Sequence, residues 1–201
     1  MPRERNASIA AARQLLEAGV TAEPDEICRA IVGIAKPYDA HVIGASAALV
    51  ATFLDHPDPS VRHEAIWFLG SWGHLPEYAS RIHGTACMDS DVYNRAFAAK
   101  SLGSILKQDK CSALTKLILA FVEDEQEEIE VRLSAYSGLL YAWKMPDDFL
   151  FLVGEKTISE VDPEFLTELQ AWIQGKAEMP LVTPPRGVLR SLIHSWRAGL
   201  I

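Results

Sequence analysis

The chain has no apolar run approaching the roughly 18–20 residues that a membrane span needs, and its first nineteen residues are too polar and alanine-rich for a secretory signal. It has three cysteines, Cys28, Cys87 and Cys111, an odd number and widely spaced, which gives no disulfide framework and no paired metal ligands. Positive charge is scarce: 19 Lys and Arg stand against 27 Asp and Glu, for a net charge of −8. That balance argues against a protein whose main work is neutralising nucleic-acid phosphates, which rests on clustered Lys and Arg. Catalytic signatures are missing too. There is no Gly-x-x-x-x-Gly-Lys-Ser/Thr and no His-Glu-x-x-His, and Gly44-Ala45-Ser46-Ala47-Ala48 lacks the closing glycine of a nucleophile elbow. Alternating strands with hairpin turns are absent as well. What is present is ordinary for a globular chain of 201 residues, 49% hydrophobic and 23% charged. The expectation is one reduced, cytoplasmic, all-α domain.

Internal repetition gives that domain its form. In Asp58-Pro59-Ser60-Val61-Arg62-His63-Glu64-Ala65-Ile66-Trp67-Phe68-Leu69-Gly70, a shift of 33 residues carries Asp58, Arg62, Ala65, Leu69 and Gly70 onto Asp91, Arg95, Ala98, Leu102 and Gly103. A further 37 reaches Glu128, Arg132, Ala135 and Leu139, with Leu140 in the glycine place. Asp58 reads as an N-cap and Pro59 suits the first helical position, where a missing N–H costs nothing. Val61, Ala65, Phe68, Leu69 and Trp72 then form an apolar stripe at helical spacing. Asn94, Ala98, Ser101, Leu102 and Ile105 form the second stripe, and Val131, Ala135, Gly138, Leu139 and Ala142 the third. An apolar first helix precedes each: Ile43–Leu54, Tyr78–Met88 and Leu114–Val122. Ala7–Ala18 and Asp25–Ala35 add two helices before the repeats. Pro146–Val153 and a helix opened by Asp162-Pro163-Glu164 follow them.

The run Asp-x-x-Val-Arg-x-x-Ala-x-x-x-Leu-Gly resembles the second-helix signature of short HEAT-like repeats, found in bacterial scaffold and lyase proteins. The resemblance covers residues 40–145 most clearly, with Tyr93 and Asn94 departing from it in the middle repeat. It implies a right-handed α-solenoid over 1–178, whose second helices line a concave binding face. It also implies a structural ladder in which turn acid and helix Arg hydrogen-bond between repeats: Asp58/Arg62, Asp91/Arg95 and Glu128/Arg132.

Candidate chemistry is thin. His63-Glu64 is similar to the His-Glu pairs with which deoxyhypusine hydroxylase, a HEAT-repeat enzyme, holds two irons. The equivalent positions here are Ala96-Phe97 and Leu133-Ser134, and a single pair cannot hold such a centre. His56, His63 and His74 have no spacing that demands a metal, so no metal or cofactor is assigned. Lys100, Lys107 and Lys144 are too few for the basic face of HEAT-like DNA glycosylases.

The binding reading starts from the side of the first repeat's second helix opposite its stripe, where His63, Trp67, Gly70 and His74 fall. Trp is favoured at interface hot spots. With Tyr93, Lys100, Tyr136 and Tyr141 from the next repeats, these residues suit a protein partner, and a cover by the chain's own elements is the other reading of Trp67. Glu123, Asp124, Glu125, Glu127, Glu128 and Glu130 put six carboxylates in eight positions, either a solvated helix start or a docking site for a basic partner. Residues 179–201 form a Pro-rich linker and an amphipathic helix with Arg186, Arg190 and Arg197, read as a cap or as a docking or dimerising element through 186–201. The resulting expectation is a non-enzymatic protein-binding module without nucleic acid or membrane span. An immunity or antitoxin-type protein and a bilin-lyase-like cofactor chaperone are the alternatives.

Overall fold

A computed structural model of the chain describes residues 2–19, 22–36, 38–143 and 161–178. The proposed helix at 146–153, Lys144 and the whole 179–201 segment lie outside the described residues. Their regular elements are all helical, with no strand among the described residues: α1 (Pro2–Glu17), α2 (Pro24–Ala35), α3 (Ala40–Ala51), α4 (Pro59–Ile66), α5 (Ala79–Met88), α6 (Val92–Gln108), α7 (Ser112–Glu123), α8 (Ile129–Trp143) and α9 (Pro163–Ile173). None of them is long and apolar enough to cross a membrane.

Local chemistry explains the starts. The Asp58 carboxylate accepts the Ser60 amide at 2.8 Å with Pro59 in the first turn. Asp91 accepts the Asn94 amide at 3.0 Å, and Asp162 accepts that of Glu164 at 3.0 Å. Each supplies an acceptor to one of the amides that a helix N-terminus leaves without a partner. Asp39 does the same for α3, which a 3₁₀ turn (Thr52–Asp55) extends.

The second helices α4, α6 and α8 stack side by side, with α5 and α7 packed against α6 and α8. Val61, Ala65, Phe68 and Leu69 are buried, as are Ala98, Ser101, Leu102 and Ile105, and Val131, Ala135, Leu139 and Ala142. Small residues set the spacing. A Cβ on Gly103 would lie 2.2 Å from the Gly138 carbonyl oxygen, and one on Gly70 would lie 2.7 Å from Ser101 Cβ. The α6 and α8 backbones therefore touch at a Gly–Gly crossing. The residue facing Gly103 is Gly138.

Asn94, the departure from the repeat signature, is 2% exposed and stitches two repeats together. Its amide donates to the Pro59 carbonyl at 2.9 Å, and its oxygen accepts from His63 Nδ1 at 3.3 Å. Asn94→Val would restore the signature, yet it would leave the Pro59 carbonyl and the His63 N–H without partners. A loss of about 1–3 kcal/mol is expected in urea denaturation, where repeat consensus alone predicts a gain.

Candidate functional site

The ladder forms, with one acid exchanged. Arg62 makes a two-pronged contact with Asp89, Nε to Oδ2 at 2.8 Å and Nη2 to Oδ1 at 2.6 Å, and donates through Nη1 to the His56 and Pro57 carbonyls at 2.8 and 2.9 Å. Asp91, the expected partner, instead caps α6. Both acids sit in one turn, and the carboxylate of Asp89 is the one enclosed, its side chain 2% exposed. Burial alone would raise the Asp89 pKa. The Arg62 hydrogen bonds and charge, together with the Asp91 amide, outweigh that and hold it below the ordinary carboxylate value. Arg95 continues the ladder as expected, reaching Glu128 at 2.5 Å and Glu127 at 3.5 Å. Hydrogen bonding to Arg95 lowers the Glu128 pKa to about 2. Arg132 donates to the Val122 carbonyl at 3.2 Å, a contact within its own repeat.

The acidic run is therefore largely spent on the fold. Glu127 and Glu128 serve Arg95, Glu123 accepts from Gln170 of α9, and Asp124 accepts the Gln126 amide at 2.9 Å. Glu125 and Glu130 are exposed.

The second-helix face differs from a simple amphipathic projection, because α4 continues into a π-helical segment, Trp67–Trp72. At 3.6 residues per turn, positions 67 and 72 would stand about 140° apart. The i→i+5 bonding of a π turn brings them over each other, with the Gly73 amide on the Phe68 carbonyl at 2.9 Å. The Trp67 and Trp72 rings consequently stack at 4.7 Å and 25°. Trp72 thus leaves the core stripe to which its spacing assigns it and joins the surface, half-buried. Gly70, expected on that surface, is buried against α6.

Around the stacked pair lies an unbroken aromatic strip. Tyr38 meets Trp72 edge-on at 6.2 Å, Phe97 meets Trp67 at 6.0 Å, and His63 lies over Phe97 at 4.4 Å. Tyr38 is 71% exposed, while Trp67, Trp72, His63 and Phe97 are half-buried. Trp67 is thus neither sealed into the core nor surrounded by water. Tyr93, one turn before Phe97 on α6, is 71% exposed. His74 closes the π segment with φ 49° and donates through Nδ1 to the Ser104 carbonyl at 3.1 Å.

Positions 93, 97, 100, 104 and 107 fall on one stripe of α6 at helical spacing. They bring Tyr93, Phe97, Lys100 and Lys107 to the same face, and the Lys107 ammonium lies 4.1 Å from the centre of the Tyr141 ring. Tyr136 does not belong with them. It is fully buried, its hydroxyl accepts the Asp162 amide at 3.0 Å, and burial pushes its pKa up to about 12. Phe165 of α9 meets its ring edge-on at 6.4 Å, so α8 turns that tyrosine toward α9. Of the expected site, His63 and Trp67 are in ring contact, Tyr93 and Lys100 share a stripe on α6, and Tyr141 pairs with Lys107. Tyr38, Trp72 and Phe97 complete the strip. The aromatic character of Phe97, four residues after Tyr93, was the available signal for it.

No other chemistry is assembled around it. His56 Nδ1 accepts the Asp58 amide at 3.1 Å, and His63 and His74 are engaged as described, so the three imidazoles serve separate contacts. Among the described residues no three of His, Cys, Asp and Glu converge on a metal position. Cys87 lies 3.8 Å from His83 Nε2 in a cleft of about 310 Å³, but burial and the Glu127 charge raise its pKa, the reverse of an activated thiolate. A larger cleft of about 600 Å³ borders Arg62 and Asp89 and is lined by Arg81, Thr85 and Met88 rather than by the aromatic strip.

The family model of HEAT repeats matches residues 46–139, from within α3 to within α8. No curated protein and no solved structure matches the chain. The motif, the arginine ladder and the stacked helix pairs agree with that match, and residues 46–139 form HEAT-like repeats.

Proposed function

We propose that the chain is a non-enzymatic protein-binding module whose contact surface is the second-helix face of the first two repeats. One observation carries the reading: five rings, Tyr38, Trp72, Trp67, His63 and Phe97, are linked ring to ring, by stacking and by edge contacts, in a partly exposed strip. Half-buried aromatic rings bury large areas on association at a low entropic cost, which is why such residues dominate interface hot spots. The rings are also held before any partner arrives. The π segment aligns the two tryptophans, while Asn94 and Ser104 fix the two histidines. Preorganisation of this kind lowers the cost of binding. The acidic run adds less to the reading than its sequence suggests, since most of its carboxylates already have partners within the chain. A basic partner is therefore not required.

The test compares proteins co-purifying from the source cells with the wild-type chain, with Trp67→Ala, and with Leu117→Ala, which alters an exposed residue of α7 remote from the strip. A partner retained by wild type and Leu117→Ala is expected to weaken by at least about thirtyfold with Trp67→Ala, the loss of a hot-spot residue worth roughly 2 kcal/mol or more. The same partners bound equally by all three would contradict the reading.

A further inference from the structure

Lys100 is the one group on the α6 stripe that the fold does not account for. It sits three residues after Phe97 and seven after Tyr93, in the middle of the face, and it is half-buried. No hydrogen bond or ion pair reaches its ammonium from any described residue, and burial pushes its pKa down. Its neighbours on the stripe are neutral or positive: Tyr93, Phe97, Ser104 and Lys107. Among the described residues, Asp89, Glu127 and Glu128 are bound to the ladder arginines. An ammonium drawn partly out of water without a counter-charge is costly. Among the described residues, Asp89 goes to Arg62 and Glu128 to Arg95, and no carboxylate goes to Lys100.

We infer that this face takes up an acidic, apolar segment of a partner protein, which sets a carboxylate on Lys100 and an apolar side chain against the Phe97 and Trp67 rings. The inference rests on the protein-binding reading and specifies the partner's chemistry. Charge complementarity on the stripe is local and runs against the net charge of −8. The long-range field of the chain repels such a segment, so specificity comes from the contact itself. Once the partner covers Lys100, the water that weakened the pair is gone and the attraction strengthens. A nucleic-acid strand would also offer anions and stackable rings, but two lysines on an acidic protein give little counterion release.

The test uses two fluorescently labelled 14-residue helical peptides with the same Leu and Phe stripe, one with Glu and one with Lys at every flanking position. Binding is read by anisotropy at 150 mM salt, where charges beyond about 8 Å are screened. The wild-type chain is expected to hold the Glu peptide at least about tenfold more tightly than the Lys peptide. Lys100→Met, which keeps the stem and removes the charge, should reduce that preference to less than about twofold, and Lys100→Glu should reverse it. Thermal melts of both variants report whether the fold is retained. Equal or tighter binding of the Lys peptide, a preference that survives Lys100→Met, no binding of either peptide, or tighter binding of a twelve-nucleotide oligo-dT would each overturn the inference. If both peptides bind equally and both are lost with Trp67→Ala, the aromatic docking surface stands and only the acidic preference falls.

Discussion

Gly103→Ala is expected to be among the most damaging single substitutions in the chain, although it adds one methyl group and improves helix propensity. That methyl would sit 2.2 Å from the Gly138 carbonyl oxygen and 2.4 Å from its Cα. These are backbone atoms of a packed helix, so relief requires α6 and α8 to move apart. Their separation sets the fit of the side chains buried on both helices, Leu102 on α6 and Leu139 on α8 among them. Overpacking of a core commonly costs about 1–3 kcal/mol through side-chain adjustment. Where no side chain can adjust, about 4 kcal/mol or more is expected, a fall in Tm on the order of 10 °C for a domain of this size. Gly44→Ala provides the contrast. Gly44 lies within α3 with nothing within 4 Å of the added carbon, so the change should stabilise by roughly 0.5–1 kcal/mol through backbone entropy. Equal melting temperatures for the two variants would show that α6 and α8 do not approach as described.

Asp89→Ala is expected to cost about 3–5 kcal/mol, because it leaves the enclosed Arg62 guanidinium without its carboxylate. Asp91→Ala, two residues away, removes only a helix cap and should cost about 1 kcal/mol. The ranking opposes what the repeat register alone predicts. The Asp89 pKa is lower in the folded chain than in the unfolded one, so its contribution is complete above the unfolded carboxylate value and disappears as pH falls through the folded one. Urea denaturation should therefore show a large gap between wild type and Asp89→Ala at pH 7 that narrows in acid. A gap independent of pH would place the cost outside the Arg62 pair.

The contacts behind these two expectations mark where the sequence could be read and where it could not. Asp58, Asp91 and Asp162 cap helices because capping is local: a short acceptor side chain, the next two or three amides, and often a proline decide it. The buried stripes were equally legible, since helical spacing alone selects them. Contacts between repeats depend on how far one helix slides along the next. Matching motifs sets Arg62 toward Asp91, whereas the packed helices pair it with Asp89, and the equivalence of Gly103 with position 140 does not say that Gly103 meets Gly138. A slide of two residues is invisible to an alignment of the chain with itself. Trp72 was misplaced for another reason. A π segment breaks the 100° increment on which every stripe argument rests, and the stacking that accompanies it needs both Trp67 and Trp72. Tyr136 was misread because α9, far along the chain, covers a face of α8 that its own periodicity leaves open. The binding face was half legible, with His63 and Trp67 found from the helix opposite the core stripe, and Phe97 and Tyr38 evident only once the rings met.

A partner docked on the aromatic face of the first two repeats, as proposed, would leave its footprint in hydrogen exchange of the chain alone and in complex with the partner recovered by co-purification, which maps contact without altering a residue. New protection is expected across 63–74 and 93–107, with little change in α7 or at 123–130. Protection confined to the 123–130 run, or to α5 and α7, would contradict it.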